Sequence, residues 1–266
     1  MTFRIAALQM VSSNLVDENI NEFNRLAKLA AADGAKMVAL PEYFCFMGLK
    51  ETDKSSLAEE SGKGPIQDAL ANIARELGIW VIAGSIPLKS PDPQKVLNTQ
   101  LVYNDQGHQV SRYDKIHLFS FTKGKESYDE SRSIIPGRTV ETVDTPYGRI
   151  GLSICYDLRF PELYRKMGPV DLILVPSAFT YTTGQAHWET LLRARAIENQ
   201  CYVLAPAQGG KHANGRRTWG HSMLIDPWGE VKSVLAENPG VVIGDIDPQR
   251  IKEVRESLPA LQHRVF

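Results

Sequence analysis

The sequence predicts a mixed α/β layered fold. Three observations carry this expectation. Short apolar runs of strand length alternate with amphipathic helical stretches, strand pairs flank turn-forming residues further on, and no internal repeat, low-complexity segment or linker interrupts the 266 residues. A single domain over 1–266 is therefore expected.

Phe3 to Leu8 reads as the first strand. Leu15 to Ala32 follows as a helix, because Ile20, Phe23, Leu26, Ala27 and Ala30 recur at helical spacing and Asp33-Gly34 closes the segment. Lys36 to Leu40 is a short buried strand ending at Pro41-Glu42. Pro65 to Leu77 is a second helix, with proline in its first turn and Gly78 just past its end. Ile79 to Ile86 is expected as one strand, and Val96 to Tyr103 with His108 to Tyr113 form a hairpin around Asn104-Asp105-Gln106-Gly107. Phe119 to Gly137 is polar and non-periodic, a long connection of the kind that is more often functional than incidental.

Thr139 to Asp144 and Arg149 to Ile154 bracket Thr145-Pro146-Tyr147-Gly148 as another hairpin, and a helix is expected to begin just past Cys155. Asp171 to Val175 is a strand, Gln185 to Asn199 a helix and Cys201 to Ala205 a strand. Gly220 to Ile225 and Glu230 to Leu235 flank Asp226-Pro227-Trp228-Gly229. Val241 to Ile246 makes a last strand and Pro248 to Ser257 a last helix.

Composition excludes several function classes. With 43% hydrophobic residues the chain can bury a sizeable core. Lys and Arg total 30 against 31 Asp and Glu, so no basic field favours nucleic acid or an anionic membrane, and small molecules or other proteins are the expected partners. Cys45, Cys155 and Cys201 form no C-x-x-C pair, and their odd number fits a reducing compartment. The N-terminal segment lacks the pattern of a secretory signal, and the apolar runs fall far short of the roughly 20 residues that cross a bilayer. A cytoplasmic protein is expected.

Free cysteine is a common core residue, and Cys45 and Cys201 read that way. Cys155 has a different setting in Gly151-Leu152-Ser153-Ile154-Cys155-Tyr156-Asp157-Leu158-Arg159-Phe160-Pro161-Glu162. A strand ending at Ile154 and a helix starting near Asp157 would put it on a strand-to-helix turn, where a helix N-terminus lowers a thiol pKa and backbone N–H groups face outward. His108, His117, His187, His212, His221 and His263 carry no local signature for a base or a zinc site. Ala205 to Lys211 lacks the first glycine of a phosphate loop, so neither metal nor nucleotide cofactor is expected. Leu40-Pro41-Glu42-Tyr43 and Tyr113-Asp114-Lys115-Ile116-His117 each place charges at a strand end, where an isolated charge is ordinarily solvated.

Taken together, Leu40-Pro41-Glu42, Asp114-Lys115-Ile116-His117-Leu118 and Ser153 to Glu162 resemble, in order, the three motifs of the nitrilase superfamily of carbon–nitrogen hydrolases, and the likeness runs from Ala6-Ala7-Leu8-Gln9 to Leu258 to Arg264. The resemblance implies a four-layer α-β-β-α sandwich, at least a homodimer, no cofactor, and cysteine-dependent amide hydrolysis through a thioester. It implies Glu42 as general base, Lys115 as cationic stabiliser, Cys155 as nucleophile and the Tyr156 N–H as an oxyanion donor. Glu130-Ser131 followed by Pro136-Gly137 matches the family's further glutamate, which assigns Glu130 to the site and leaves Glu126 as a solvated loop charge. Pro176 to Thr180, Thr183 to Glu189, Arg193 to Glu198 and Gly220 to Met223 resemble the branch that hydrolyses deaminated glutathione or α-ketoglutaramate, and Ala207-Gln208-Gly209-Gly210-Lys211-His212 resembles the former. Arg159 is expected to grip a substrate carboxylate or to form a structural ion pair with Glu162 or another acid, while Lys211 and His212 are expected to contact a longer substrate tail. A catalytically idle scaffold of the same fold and a glutaminase supplying ammonia to a separate synthetase are the competing expectations.

Overall fold

Two sheets lie face to face in the computed structural model, which describes residues 2–124 and 126–265, and helices cover the outer face of each. In the first sheet, β1 (Phe3–Gln9), β2 (Met37–Ala39) and β3 (Trp80–Ile82) run parallel. Beside β3 the antiparallel β5 (Val96–Tyr103) separates it from β4 (Ile86–Lys89) and also pairs with β6 (Gln109–Asp114). Between the sheets in sequence, β7 (Ser120–Lys123) and β8 (Glu126–Asp129) form a separate hairpin. The second sheet repeats the plan: β10 (Gly148–Leu152), β11 (Leu172–Leu174) and β12 (Tyr202–Ala205) are parallel, with β9 (Thr142–Thr145) antiparallel on one side and β13 (Ser222–Ile225) and β14 (Val231–Leu235) on the other. β15 (Gly240–Ile246) returns to pair with β1.

Strand alternation explains the layers. Ile5 and Ala7 of β1, Met37 and Ala39 of β2 and Ile82 of β3 join the apolar cluster shared with the second sheet, while their neighbours Ala6, Leu8, Val38 and Val81 point the other way. That opposite face receives Phe23, Leu26 and Ala30 of α1 (Val16–Ala32) and Ile66, Leu70 and Ile73 of α2 (Pro65–Leu77). The second sheet is covered by Leu163 and Tyr164 of α3 (Pro161–Lys166) and by Trp188, Leu192 and Ala196 of α4 (Tyr181–Asn199). Ile251 of α5 (Pro248–Ser257) closes the same cluster. Both sheets are therefore buried on two faces, as parallel strands require. The four-layer α-β-β-α arrangement expected from the motifs is the one observed.

Four sequence expectations are corrected. The run Ile79 to Ile86 is two strands, because Gly84 turns the chain at φ +58° and passes so close to the Leu40-Pro41 carbonyls that a Cβ would lie 2.1 Å from the Pro41 oxygen. The Phe119–Gly137 connection contains the β7–β8 hairpin and a one-turn 3-10 helix at Glu130–Arg132. An α-helix does not begin just past Cys155: Cys155–Arg159 is a 3-10 turn, and α3 starts at Pro161. Helix α4 begins at Tyr181 rather than Gln185, since the Thr180 side chain accepts from the Thr183 N–H and its first turn of Tyr, Thr, Thr and Gly hides the helical pattern.

Loops at the carboxyl ends of β2, β6, β10 and β11 meet on one side of the sandwich, the end at which parallel α/β sheets bind ligands. Among the described residues no helix is long and apolar enough to cross a membrane. The Gly84 turn supports this loop cluster directly, because the neighbouring Ser85 hydroxyl accepts from the Tyr43 N–H at 3.1 Å. Gly84→Ala is expected to cost about 2–4 kcal/mol from left-handed backbone strain plus displacement of the Leu40-Pro41 segment. Denaturant unfolding measures this, and a variant as stable as the wild type would contradict the close approach.

Candidate active site

Lys115 follows β6, and its backbone is held on both sides: its N–H donates to the Asn98 carbonyl at 2.9 Å, and its carbonyl accepts from Gly137 N–H at 2.8 Å. A Cβ on Gly137 would lie 2.1 Å from the Asp114 carbonyl oxygen, so a side chain there would push the strand end away. The Lys115 side chain is fully buried. An ammonium there needs anions, and two are present: Nζ lies 2.7 Å from Glu42 Oε1, and 3.1 and 2.8 Å from the two Glu130 oxygens. Burial opposes the Lys115 charge, but Glu130 and then Glu42 outweigh it and raise its pKa. Burial likewise opposes the Glu130 charge, and Lys115, followed by Lys54, holds that carboxyl below its ordinary value.

The carboxylates are also fixed by neutral donors. Glu42 Oε1 accepts from Asn98 Nδ2 at 3.0 Å, and Oε2 accepts from the Ala178 N–H at 2.9 Å. Gln208 Nε2 donates to the Glu42 carbonyl at 3.1 Å and to the Ser12 hydroxyl at 2.8 Å. Glu130 accepts from the Tyr43 hydroxyl at 2.9 Å and from the Phe119 N–H at 2.8 Å. Burial, Glu130 and Glu42 raise the Tyr43 pKa well above normal, which keeps the phenol protonated as a donor.

Cys155 stands three residues beyond β10, with its N–H donating to the Pro176 carbonyl at 2.9 Å. Its φ of +50° is unusual for a residue with a side chain, as is the +57° of Tyr43 beside Glu42. The fully buried Asp157 holds the turn: it accepts from the Ile154 N–H at 2.8 Å, the Tyr113 hydroxyl at 2.7 Å and the His117 N–H at 3.0 Å. One carboxylate thus joins the cysteine turn to both flanks of Lys115. The expected lowering of the thiol pKa is corrected. Burial, then the Glu42 charge, raise it well above its ordinary value, Lys115 offsets only part of this, and Glu130 raises it further.

A small cavity opens on this cluster, lined by Glu42, Glu130, Cys155, Tyr156, Phe179 and Arg216 among others. A groove by Phe3, Tyr147 and Ile251 is larger, but it contains none of these groups. Chemistry rather than volume locates the site. Among the described residues no group of three or more His, Cys, Asp or Glu side chains could hold a metal ion.

The three expected substrate-binding residues do not line this cavity. Arg159 packs its guanidinium over the Tyr156 and Phe179 rings and reaches His187 Nδ1 at 3.3 Å, so it backs the cavity wall and forms no pair with Glu162. Lys211 is exposed on the Lys211–Arg217 bridge. His212 is buried between the Ser12 carbonyl, 2.9 Å from Nδ1, and the Thr218 hydroxyl, 2.8 Å from Nε2. Glu126 is not a free loop charge but accepts from the Thr182 hydroxyl of α4 at 3.1 Å. Sequence reasoning missed Tyr43, Asn98, Gln208 and Arg216. Tyr43 adjoins Glu42, which offered a signal, whereas the other three lie in strands or loops whose partners are distant in sequence.

Residues 4–256 match the model of the family described as carbon-nitrogen hydrolase. The chain is 43% identical to a deaminated glutathione amidase of Synechocystis, covering 98% of this chain and 97% of that protein. In structure it is similar to the Caenorhabditis elegans NitFhit protein, with a TM-score of 0.92 and 41% identity over 99% of this chain; it spans 65% of that longer chain. It is also similar to Saccharomyces cerevisiae Nit3, a member of branch 10 of the nitrilase superfamily, with a TM-score of 0.89 and 29% identity over 100% of this chain and 97% of that one.

The position of His212 has a pH consequence. Burial pushes its pKa from 6.5 down to about 4 against the pull of the Ser12 hydrogen bond, and Arg216 adds to the lowering. Unfolded chains take up a proton at this ring below 6.5 while the fold resists it, so stability falls as pH drops from 6.5 toward about 4. The loss attributable to this ring is at most ~3 kcal/mol. Denaturant unfolding at both ends of that range should show a smaller acid loss in His212→Gln than in wild type, and equal losses would contradict a neutral structural histidine.

Proposed function

The chain belongs to the carbon–nitrogen hydrolase family, and from that membership we propose that it is a cysteine-dependent amidase acting on a small carboxylate-bearing amide, with deaminated glutathione as its substrate. The observation that carries this proposal is the convergence of Glu42, Lys115 and Glu130 on one buried ion cluster whose two carboxylates line the same cavity as the Cys155 thiol. The amidase of Synechocystis supports the choice of substrate.

Glu42 removes the thiol proton as Cys155 Sγ attacks the amide carbon, and the carbonyl π electrons become an oxyanion held by Lys115 and the Tyr156 N–H. The C–N bond then breaks while Glu42 gives its proton to the leaving nitrogen. The thioester remains, and Glu42 takes a proton from water as that oxygen attacks the same carbon. Collapse expels the sulfur, which regains its proton from Glu42. Glu130 stays ionised and holds Lys115 in place.

Charge explains why the raised thiol pKa suits this route. Two carboxylates and one ammonium leave the cluster with a net negative charge, and a resting thiolate would add a second. Coupling proton transfer to attack replaces the Glu42 charge with the oxyanion charge, so the total never rises. A scaffold would gain nothing from holding these ions beside a nucleophile in a fully buried setting, since such burial costs free energy. The proposed setting is a cytoplasmic homodimer or higher homo-oligomer, and all three cysteines are free.

Product release from deaminated glutathione and from α-ketoglutaramate tests the proposal. Wild type should prefer deaminated glutathione and show an acyl adduct by intact-mass spectrometry. Cys155→Ala should lose both turnover and adduct, and Glu42→Gln should lose about 10³-fold or more in kcat. Turnover surviving in Cys155→Ala would contradict the nucleophile, and preference for α-ketoglutaramate would overturn the substrate.

A further inference from the structure

Arg216 lines two adjoining cavities. One is the catalytic cavity, and the other is walled by Tyr43, Phe46, Lys50, Glu51, Lys54 and Arg216 among others. The Arg216 backbone is fixed in a tight loop, where its N–H donates to Asn214 Oδ1 at 2.9 Å and its carbonyl accepts from the His212 N–H at 2.8 Å. Its guanidinium is largely unused. Nη2 donates to the Ala178 carbonyl at 2.7 Å, the plane sits 5.0 Å from the Tyr128 ring centroid, and the buried Nε has no hydrogen-bond partner. Among the described residues Arg216 forms no ion pair, in contrast to the buried Arg195, which holds Glu198 at 2.8 Å.

A guanidinium with spare donors facing a cavity is suited to a planar anion. The need for one is local. The Glu42–Lys115–Glu130 cluster has a net negative charge and would repel an anionic substrate, whereas Lys54 is already paired with Glu51 at 3.1 Å. We propose that Arg216 is the specificity residue that binds the substrate carboxylate, an assignment that rests on the amidase function proposed above and replaces Arg159 in that role. The carboxylate enters on the wall shared by the two cavities, with its amide directed to Cys155.

Arg216 also has a possible structural role that the test must separate. The Ala178 peptide donates to Glu42 and accepts from Arg216, so losing the guanidinium could simply loosen the base. Glutaramate and pentanamide have the same chain length and differ in charge. In wild type glutaramate should be preferred, and Arg216→Gln should lower the glutaramate-to-pentanamide ratio of kcat/KM by about 10- to 100-fold, mainly through KM for glutaramate. Arg216→Lys should recover part of that ratio. Equal losses on both amides through kcat, or an unchanged ratio, would overturn the assignment.

Glutarate binding to Cys155→Ala, measured by calorimetry with and without Arg216→Gln, gives a readout independent of turnover. Weaker glutarate binding in the double variant supports the carboxylate site even if wild type hydrolysed neither amide, in which case the amidase function alone would fail. Glutarate binding indifferent to Arg216→Gln would overturn the site.

Discussion

Lys115 cannot be charged in the interior without Glu42 and Glu130, and neither carboxylate can be charged there without Lys115. The three meet at 2.7 and 2.8 Å with almost no access to water. Removing one partner from such a buried cluster leaves an uncompensated ion, at a typical cost of about 3–5 kcal/mol. Much of the surrounding architecture makes the geometry obligatory. Asn98, the Ala178 N–H, the Tyr43 hydroxyl and the Phe119 N–H each occupy a remaining carboxylate lone pair. These donors come from β5, from the loops that follow β2 in one sheet and β11 in the other, and from the residue before β7, so assembling the sandwich and assembling the ion cluster are one event.

The same constraint sets the chemistry. A net negative cluster keeps the neighbouring thiol protonated, and in the proposed reaction Glu42 is therefore the group that moves its proton. Two of the five non-glycine residues at positive φ among the described residues, Cys155 and Tyr43, lie at this site, where the proposed nucleophile and base meet. Asp157 binds the cysteine turn to Tyr113 and His117 on either side of Lys115. The Cys155 turn and the Lys115 segment thereby share one rigid support, the pre-organisation that the proposed reaction requires.

Most regular elements are readable because local signals define them. Pro65 and Gly78 bracket α2, and Gly78 takes the left-handed conformation that ends it. The break between β3 and β4 is not readable, because Gly84-Ser85 lies within an apolar run and the contact that bends it comes from Pro41. The β7–β8 hairpin is hidden for a similar reason: Ser120 to Asp129 has too little apolar alternation to announce strands. At the site, Glu42, Lys115, Glu130 and Cys155 are legible as motifs, whereas their donors are not. Nothing local shows that Asn98 on β5 faces Glu42, or that Arg216 in a polar loop turns toward the cavity. Conversely, Lys211 and His212 read as binding residues because their loop resembles that of the branch acting on the longer substrate. Folding exposes the first and encloses the second between two hydrogen bonds.

The protonation state of Cys155 tests the central claim most directly. Difference ultraviolet titration of wild type against Cys155→Ser follows thiolate absorbance at this residue, since burial also raises the pKa of Cys45 and Cys201 far above the alkaline working range. A thiol held beside a net negative ion cluster predicts no Cys155 thiolate at or below its ordinary pKa of 9.0. A thiolate already formed at neutral pH would contradict it, because the cluster would then be carrying the second negative charge that its geometry opposes.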